Sequence, residues 1–331
     1  MEFTKRKEEI RLDTASHLVL GATLAGLAYI EPAVAAEASL AQAVWIGTLI
    51  GSHAPDFDTV LRLRGFASYL QYHRGVTHSI PALFVWPVVI ALPLCMVFHL
   101  FPYWHVLLKW VFIAVAFHVF LDTLNSYGVQ SASPFSQKWI HLDILSIFEP
   151  FLFVLHSVGL MLWLGFKFEP IPLFIWIYAL TFVYIVIRSW QHHRMVRRVI
   201  NVINISGVYH IIPTLHWFHW KVVIEADNCF YTGKILYTKI VWEAVYPKQE
   251  RNTAILATMG TDGVRAFLGF AQRIHVTCNE VKDGYEVSWS DVRFNQGSKL
   301  SFGVDVQLDK QMNVVHHRIG WRKKAWDPPF V

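Results

Sequence analysis

The sequence predicts an α-helical polytopic membrane bundle of about six transmembrane helices, a crossing needing about 20 apolar residues, followed by a small antiparallel β domain. Three observations lead there. Of 331 residues, 54% are hydrophobic and only 16% are charged, with a mean hydropathy of +0.36; soluble chains are usually about one quarter charged. The apolar runs are concentrated between Leu18 and Ile187. After Arg188 the composition becomes ordinary and the apolar period moves towards two. The chain therefore divides into a membrane part, residues 1–190, and a soluble part, residues 199–331, each large enough for a core of its own.

Six apolar segments follow one another: Leu18–Ala36, Leu40–Ser52, Ile80–Phe101, His105–Leu124, Phe151–Phe166 and Ile171–Ile187. The second is short and stops before Pro55, so a re-entrant hairpin and a strained crossing are both open. Short links around Glu37, Pro102 and Pro170 make tight hairpins. The basic N-terminus precedes an apolar run with no small-residue cleavage site, which reads as a retained first anchor. Basic residues collect on one side. Lys5, Arg6, Lys7 and Arg11 precede the first segment, Arg62, Arg64 and Arg74 follow the second, Lys138 follows the fourth, and Arg188, Arg194, Arg197 and Arg198 follow the sixth. The opposite hairpins carry little beyond Lys167, so both termini are expected in the cytoplasm.

In the tail, Lys221–Ala226, Gly233–Val241, Ala266–Cys278, Tyr285–Phe294 and Leu300–Leu308 read as strands, rich in β-branched and aromatic residues. Asp262-Gly263, Asp283-Gly284, Gln296-Gly297 and Asp309-Lys310 read as the turns between them, giving a sandwich or half-barrel.

Charge and cysteine usage exclude some functions. The net charge of +5 comes from clusters next to the apolar segments, where they attract anionic headgroups. No basic stripe with interleaved aromatics is present, so no nucleic-acid partner is expected. Cys95, Cys229 and Cys278 form no CxxC pair, which argues against a thiolate zinc site and a disulfide framework.

The chemistry lies in five pieces: Asp13-Thr-Ala-Ser-His17, His53-Ala-Pro-Asp56-Phe-Asp58, His73-Arg-Gly-Val-Thr-His78-Ser79, His118-xxx-Asp122-xx-Asn125, and Ser133-Pro-Phe-Ser136 with His141 and Asp143 beyond it. Under the orientation above, all reach one membrane face although up to about 100 residues separate them. Asp13/His17 and His118/Asp122 are i,i+4 pairs, each placing an imidazole and a carboxylate on one helix face. Such a mixed N/O set suits Zn, Mn or Fe. Pro55 pushes Ala54 out of the helix, and Asp56 and Asp58 then share one side of an extended segment opposite Phe57. An ionised aspartate at the bilayer centre costs on the order of 2.5–3.5 kcal/mol, which a metal or a paired histidine beside Asp122 would offset.

Each piece also has a plainer explanation. Asp13 suits a helix N-terminus, Asp56 and Asp58 suit caps, His73 and His78 suit headgroup contacts, His118 suits a polar helix–helix contact, and Arg74 suits positive-inside anchoring. Convergence at one face favours the joint explanation. His192-His193, His216/His219 and His316-His317 have no carboxylate at matching spacing and are not read as ligands. Trp217 and Trp220 suit a membrane interface instead.

The order Pro55-Asp56-Phe57-Asp58, His73-Arg74-Gly75-Val76-Thr77-His78-Ser79, His118/Asp122/Gly128 and Pro134-Phe135-Ser136 resembles the YdjM-type, DUF457-like family of membrane-bound metal-dependent hydrolases over about Asp13–Ser136. HRGxTHS is the most specific piece. The C-terminal domain resembles the tail of the YfhP-like branch of that family. The resemblance implies a hydrolase of the bacterial cytoplasmic membrane, and a distant likeness to zinc phospholipase C is drawn for the family.

Together these readings put His17, Asp56, Asp58, His73, His78, His118 and Asp122 around one or two divalent transition-metal ions, zinc first and Mn or Fe as alternatives. Seven ligands exceed what one tetrahedral zinc needs. Arg74 is placed to take a phosphate oxygen bidentately, Asp58 joins it in the catalytic set, and Thr77 and Ser79 hydrogen-bond a ligand. Depth in the membrane suggests a lipid-phosphate substrate among the surrounding lipids. The rival expectation is a regulator with a structural metal. A transporter is a third, which the clustering at one face and the lack of paired broken helices disfavour.

Overall fold

The computed structural model describes the backbone of residues 2–322 and the side chains of residues 14–322. The basic residues before Thr14, and Asp13, lie outside the described side chains. The chain folds as two compact units. One comprises residues 1–58 and 74–192, and the other residues 59–73 and 193–331.

The first unit is helical. Helix α1 is Glu2–Leu27, α2 is Pro32–Ala36 and α3 is Ala38–Gly51. A short helix α4, Phe66–Tyr72, follows and belongs to the second unit. The first unit continues with α5 at Ile80–Phe98, α6 at Trp104–Leu124, α7 at Pro150–Leu160 and α8 at Pro170–Val202. Among the described residues, three helices are long and apolar enough to cross a membrane: Ile80–Phe98, Phe101–Leu124 and Pro170–Val202. Thr14–Ile30, Ala38–Gly51 and Pro150–Gly165 are shorter apolar helices. The first expected segment is interrupted: α1 gives way to a 3₁₀ turn at Ala28–Ile30, and Pro32 at the next N-terminus starts α2. Helix α8 continues past Ile187 through the basic run to Val202, because nothing there breaks it. Phe84, Val88, Leu92 and Met96 on α5, and Trp176, Phe182, Val183 and Trp190 on α8, are exposed. Apolar surface of that extent suits lipid contact.

Helix α3 packs against both α1 and α6, and glycine permits the approach. A Cβ at Gly21 would sit 2.3 Å from Ser52 Oγ and 2.7 Å from the Thr48 carbonyl, and one at Gly51 would sit 3.2 Å from the Val111 carbonyl. Leu40, Val44, Leu107 and Val111 fill the core between these helices.

The second unit holds two four-stranded antiparallel sheets and a two-stranded ribbon. The first sheet has the order β1 (Val208–Pro213), β2 (His219–Glu225), β3 (Cys229–Leu236), β4 (Lys239–Pro247). Helices α9 (Thr253–Thr258) and α10 (Asp262–Phe270) follow. Then come β5 (Ile274–Val281), β6 (Gly284–Asp291), the ribbon β7 (Asn295–Gln296) and β8 (Lys299–Leu300), β9 (Phe302–Asp309) and β10 (Val314–Trp321). The second sheet runs β10-β9-β6-β5. Period two is visible on β2: Trp220, Val222 and Ile224 face Val199 and Ile203 of α8, while Val223 packs with Phe230 and Val292.

Several tail expectations change. The expected strand Gly233–Val241 straddles the β3–β4 turn, and Ala266–Cys278 is the end of α10 followed by β5. Asp262-Gly263 opens α10 instead of forming a turn, because the Thr261 hydroxyl accepts the Val264 N–H as an N-cap. Two helices accompany the second sheet, in place of a sandwich or half-barrel. Helix α4 packs on α10 and β10, with Phe66 6.5 Å from Phe302 between ring centres.

Candidate metal centre

The site lies where the ends of four elements of the first unit meet. His17 is on α1, Asp56 lies just beyond α3, His78 precedes α5, and His118 and Asp122 are on the last turns of α6. All five side chains are buried. The His78 Nε2 is 3.3 Å from the His118 Nε2, 3.3 Å from Asp122 Oδ2 and 3.6 Å from Asp56 Oδ1. The His118 Nε2 is 3.4 Å from Asp122 Oδ2 and 3.8 Å from Asp56 Oδ1. One ligand atom from each of these four residues lies within 4.8 Å of the others.

The groups behind this cluster select the tautomers of its histidines. The His118 Nδ1 is 2.7 Å from the Ser52 carbonyl, which can only accept, so that nitrogen carries the hydrogen. Thr77 donates its hydroxyl to Asp58 Oδ2 at 2.7 Å, so its oxygen accepts from His78 Nδ1 at 3.0 Å. Both Nε2 lone pairs are thereby turned inward. Burial holds the His78 imidazole below its usual pKa, although Asp122 and Asp56 pull the other way. Asp122 Oδ2 is buried and faces the two Nε2 atoms at 3.3 and 3.4 Å. With both rings neutral, acceptors face acceptors, an arrangement that a cation relieves. Four donors placed tetrahedrally about 2.0–2.1 Å from a zinc ion lie about 3.3 Å apart, so the donor set fits a small divalent metal.

The other carboxylate oxygen of Asp122 is held. Oδ1 lies 3.1 Å from an Arg74 guanidinium nitrogen and accepts from Asn125 Nδ2 at 3.1 Å. Arg74 also donates to Asn125 Oδ1 at 3.3 Å. Its guanidinium is therefore engaged with Asp122 and Asn125. The Arg74 backbone has φ of 61°, a conformation costly for any residue but glycine, and its N–H reaches Asp58 Oδ2 at 3.2 Å.

The expected residues are distributed as follows. Asp56, His78, His118 and Asp122 form the four-donor set. His17 lies beside it, its ring 4.0 Å from that of His118 and its Nε2 3.8 Å from Asp122 Oδ1. Asp58 holds Thr77 and the Arg74 backbone. His73 belongs to the second unit, its ring stacked 4.4 Å from Tyr69. Residues Ala54–Arg64 are a 3₁₀ helix and not the expected extended segment, yet Asp56 and Asp58 are both buried and Phe57 is exposed. Farther along, His141 pairs with Asp143 at 3.0 Å.

Sequence reasoning missed the Ser52 carbonyl, since a backbone group has no residue signature. It also missed His156, fully buried on α7, whose ring bonds Thr23 Oγ1 at 2.8 Å and Thr181 Oγ1 at 2.9 Å. A histidine in an apolar helix was the available signal. His156, Glu149, Asn125, Asp122 and His17 line a cavity of about 40 Å³, enough for two or three waters.

Comparisons with known proteins give the family. Residues 12–195 match the YdjM inner membrane protein family, and residues 253–326 match the YfhP C-terminal alpha/beta plait domain, the region of α9, α10 and the second sheet. The protein YfhP of Bacillus subtilis (strain 168) is 32% identical over 315 residues, covering 94% of this chain and 95% of that protein. No solved structure matches. A membrane protein with apolar helices, a buried Asp/His cluster and a C-terminal plait domain, this chain belongs to the YdjM inner membrane protein family.

Proposed function

We propose that this chain is a membrane-embedded metal-dependent hydrolase acting at the cytoplasmic face of the membrane on a phosphoester or lipid-like substrate. One observation carries the reading: two imidazole nitrogens and two carboxylate oxygens converge, with both imidazole protons directed away from the cluster. Asp56, His78, His118 and Asp122 would hold a divalent transition metal, with zinc the first choice and Mn or Fe the alternatives. When bound, such an ion lowers the pKa of a water and polarises a phosphoryl or carbonyl oxygen. The protein's own residues do the rest. Arg74 and Asn125 fix Asp122 Oδ1 and so leave Oδ2 to the metal. Asp58, through Thr77, orients His78. The cavity beside His17 and Asp122 supplies water to the same end of the bundle. In this reading the six apolar helices all cross the membrane, both termini are cytoplasmic, and the substrate arrives from the surrounding lipid.

The second reading is a non-catalytic membrane regulator with a structural metal. It is favoured by the count of donors, since four protein ligands complete a tetrahedral zinc and a catalytic zinc usually keeps one position open.

Elemental mass spectrometry of detergent-purified protein tests the metal, with wild type beside His78→Ala and Asp122→Ala. One or two equivalents in wild type and none in either variant support the site. Protein that stays metal-free after reconstitution with zinc and with manganese refutes it. Cobalt-substituted protein then separates the two readings. A spectrum that changes with added inorganic phosphate means an open position and hydrolysis, and an indifferent spectrum means a structural ion.

A further inference from the structure

At one end of the first sheet two turns are bound together. The β1–β2 loop presents Trp217 and Phe218, and the β3–β4 turn presents Tyr237 in the left-handed region at φ of 58°. The Tyr237 N–H donates to the Phe218 carbonyl at 3.0 Å, and the two rings stack with centroids 5.9 Å apart. Thr214 Oγ1 closes the loop on the His219 carbonyl at 2.9 Å. These three aromatics are 42%, 52% and 64% exposed. Trp220, grouped with Trp217 by sequence alone, is instead buried in the sheet core at 1%.

A loop tip ordinarily carries small polar residues, and three large rings held rigidly in water are a cost that a binding partner removes. The charge around them narrows that partner. The segments 214–219 and 236–239 contain His216, His219 and Lys239 and no carboxylate. Glu243, farther along β4, is neutralised by Lys234 at 2.5 Å. Rings with a polar edge, beside Lys239 and two imidazoles and free of acids, match the interface of an anionic bilayer. The sheet follows an apolar helix of membrane-spanning length directly in the chain, since α8 ends at Val202 and β1 begins at Val208 opposite Glu225, at the end of the sheet away from the tip.

We propose that Trp217, Phe218 and Tyr237 form a membrane-interface anchor that seats the first sheet in anionic headgroups. This does not depend on the metal-site reading. The test uses full-length protein in vesicles of phosphatidylcholine alone or of equal parts phosphatidylcholine and phosphatidylglycerol. An environment-sensitive fluorophore is attached at Thr238→Cys, or at Asp227→Cys at the other end of the sheet, with Cys229 and Cys278 replaced by Ser. The anchor predicts blue-shifted emission and quenching by headgroup-spin-labelled lipid at position 238, stronger with phosphatidylglycerol, and an aqueous signal at 227. Replacing the three aromatics with Ser returns position 238 to the aqueous signal. An aqueous signal at 238 in both lipids overturns the proposal, as does quenching that survives the triple replacement. A blue shift that depends on protein concentration and not on lipid indicates a protein partner and overturns it as well.

Discussion

His118 donates its Nδ1 hydrogen to the Ser52 carbonyl across 2.7 Å, and this one bond turns the opposite nitrogen of the ring towards His78. Ser52 follows the last residue of α3, where backbone carbonyls lack helical partners, and His118 is on α6. A helix end thereby selects the tautomer of a proposed metal ligand. Asp58 and Thr77 do the same for His78 with side chains. Partners of this kind control metal affinity as much as the ligands do.

Thr77→Val removes the acceptor that holds His78 Nδ1 while keeping the side chain's shape. Metal affinity, measured by chelator competition, is expected to fall by about 10- to 100-fold, the usual effect of losing a group that orients a ligand. Thr77→Ser retains the hydroxyl and is expected to stay close to wild type. Equal affinity in Val and Ser variants would contradict the relay.

Gly21→Ala puts a methyl 2.3 Å from Ser52 Oγ and 2.7 Å from the Thr48 carbonyl, which as backbone cannot step aside. Overpacking of this kind costs about 1–3 kcal/mol. The displaced α3 end also carries the Ser52 carbonyl, so the variant is expected to lose thermal stability and metal together. Gly165→Ala meets nothing within 4 Å and serves as the control.

Phe66→Ala removes an edge-on ring contact with Phe302, worth about 0.5–1.5 kcal/mol beyond burial. That contact fastens residues 59–73 to the rest of the second unit. Trypsin is expected to cut after Arg62 and Arg64 faster in the variant than in wild type, as followed by gel. Unchanged cutting would mean that α4 is held by other contacts.

Asp305 accepts two bonds from Arg322, at 2.5 and 2.6 Å, yet burial still raises its pKa above the ordinary 3.8. A raised carboxylate binds its proton more tightly folded than unfolded, so this group costs stability as pH climbs from 3.8 through its folded value. Arg322→Met raises the folded value further and leaves a buried unpaired charge at neutral pH, a loss of about 3–5 kcal/mol. Urea unfolding at a series of pH values is expected to show the variant close to wild type in acid and well below it at pH 7. Adding Asp305→Asn to the variant should restore part of the difference.

Composition and motif spacing alone determined that this is a membrane protein with an Asp/His cluster and a β-rich tail. Runs of apolar residues have one stable setting in water and lipid, and HRGxTHS or an i,i+4 His–Asp pair is local enough to read directly. Four of the seven residues expected as ligands converge on one point. How those four are presented was set by packing: which oxygen of Asp122 Arg74 occupies, and which carbonyl His118 meets. The same holds in the tail. Trp217 and Trp220 are alike to a sequence reader, but the β2 pleat buries Trp220 and the loop before it leaves Trp217 exposed. Side-chain direction in a strand reverses with a shift of one residue, and burial depends on partners distant in the chain, so these outcomes belong to the tertiary structure.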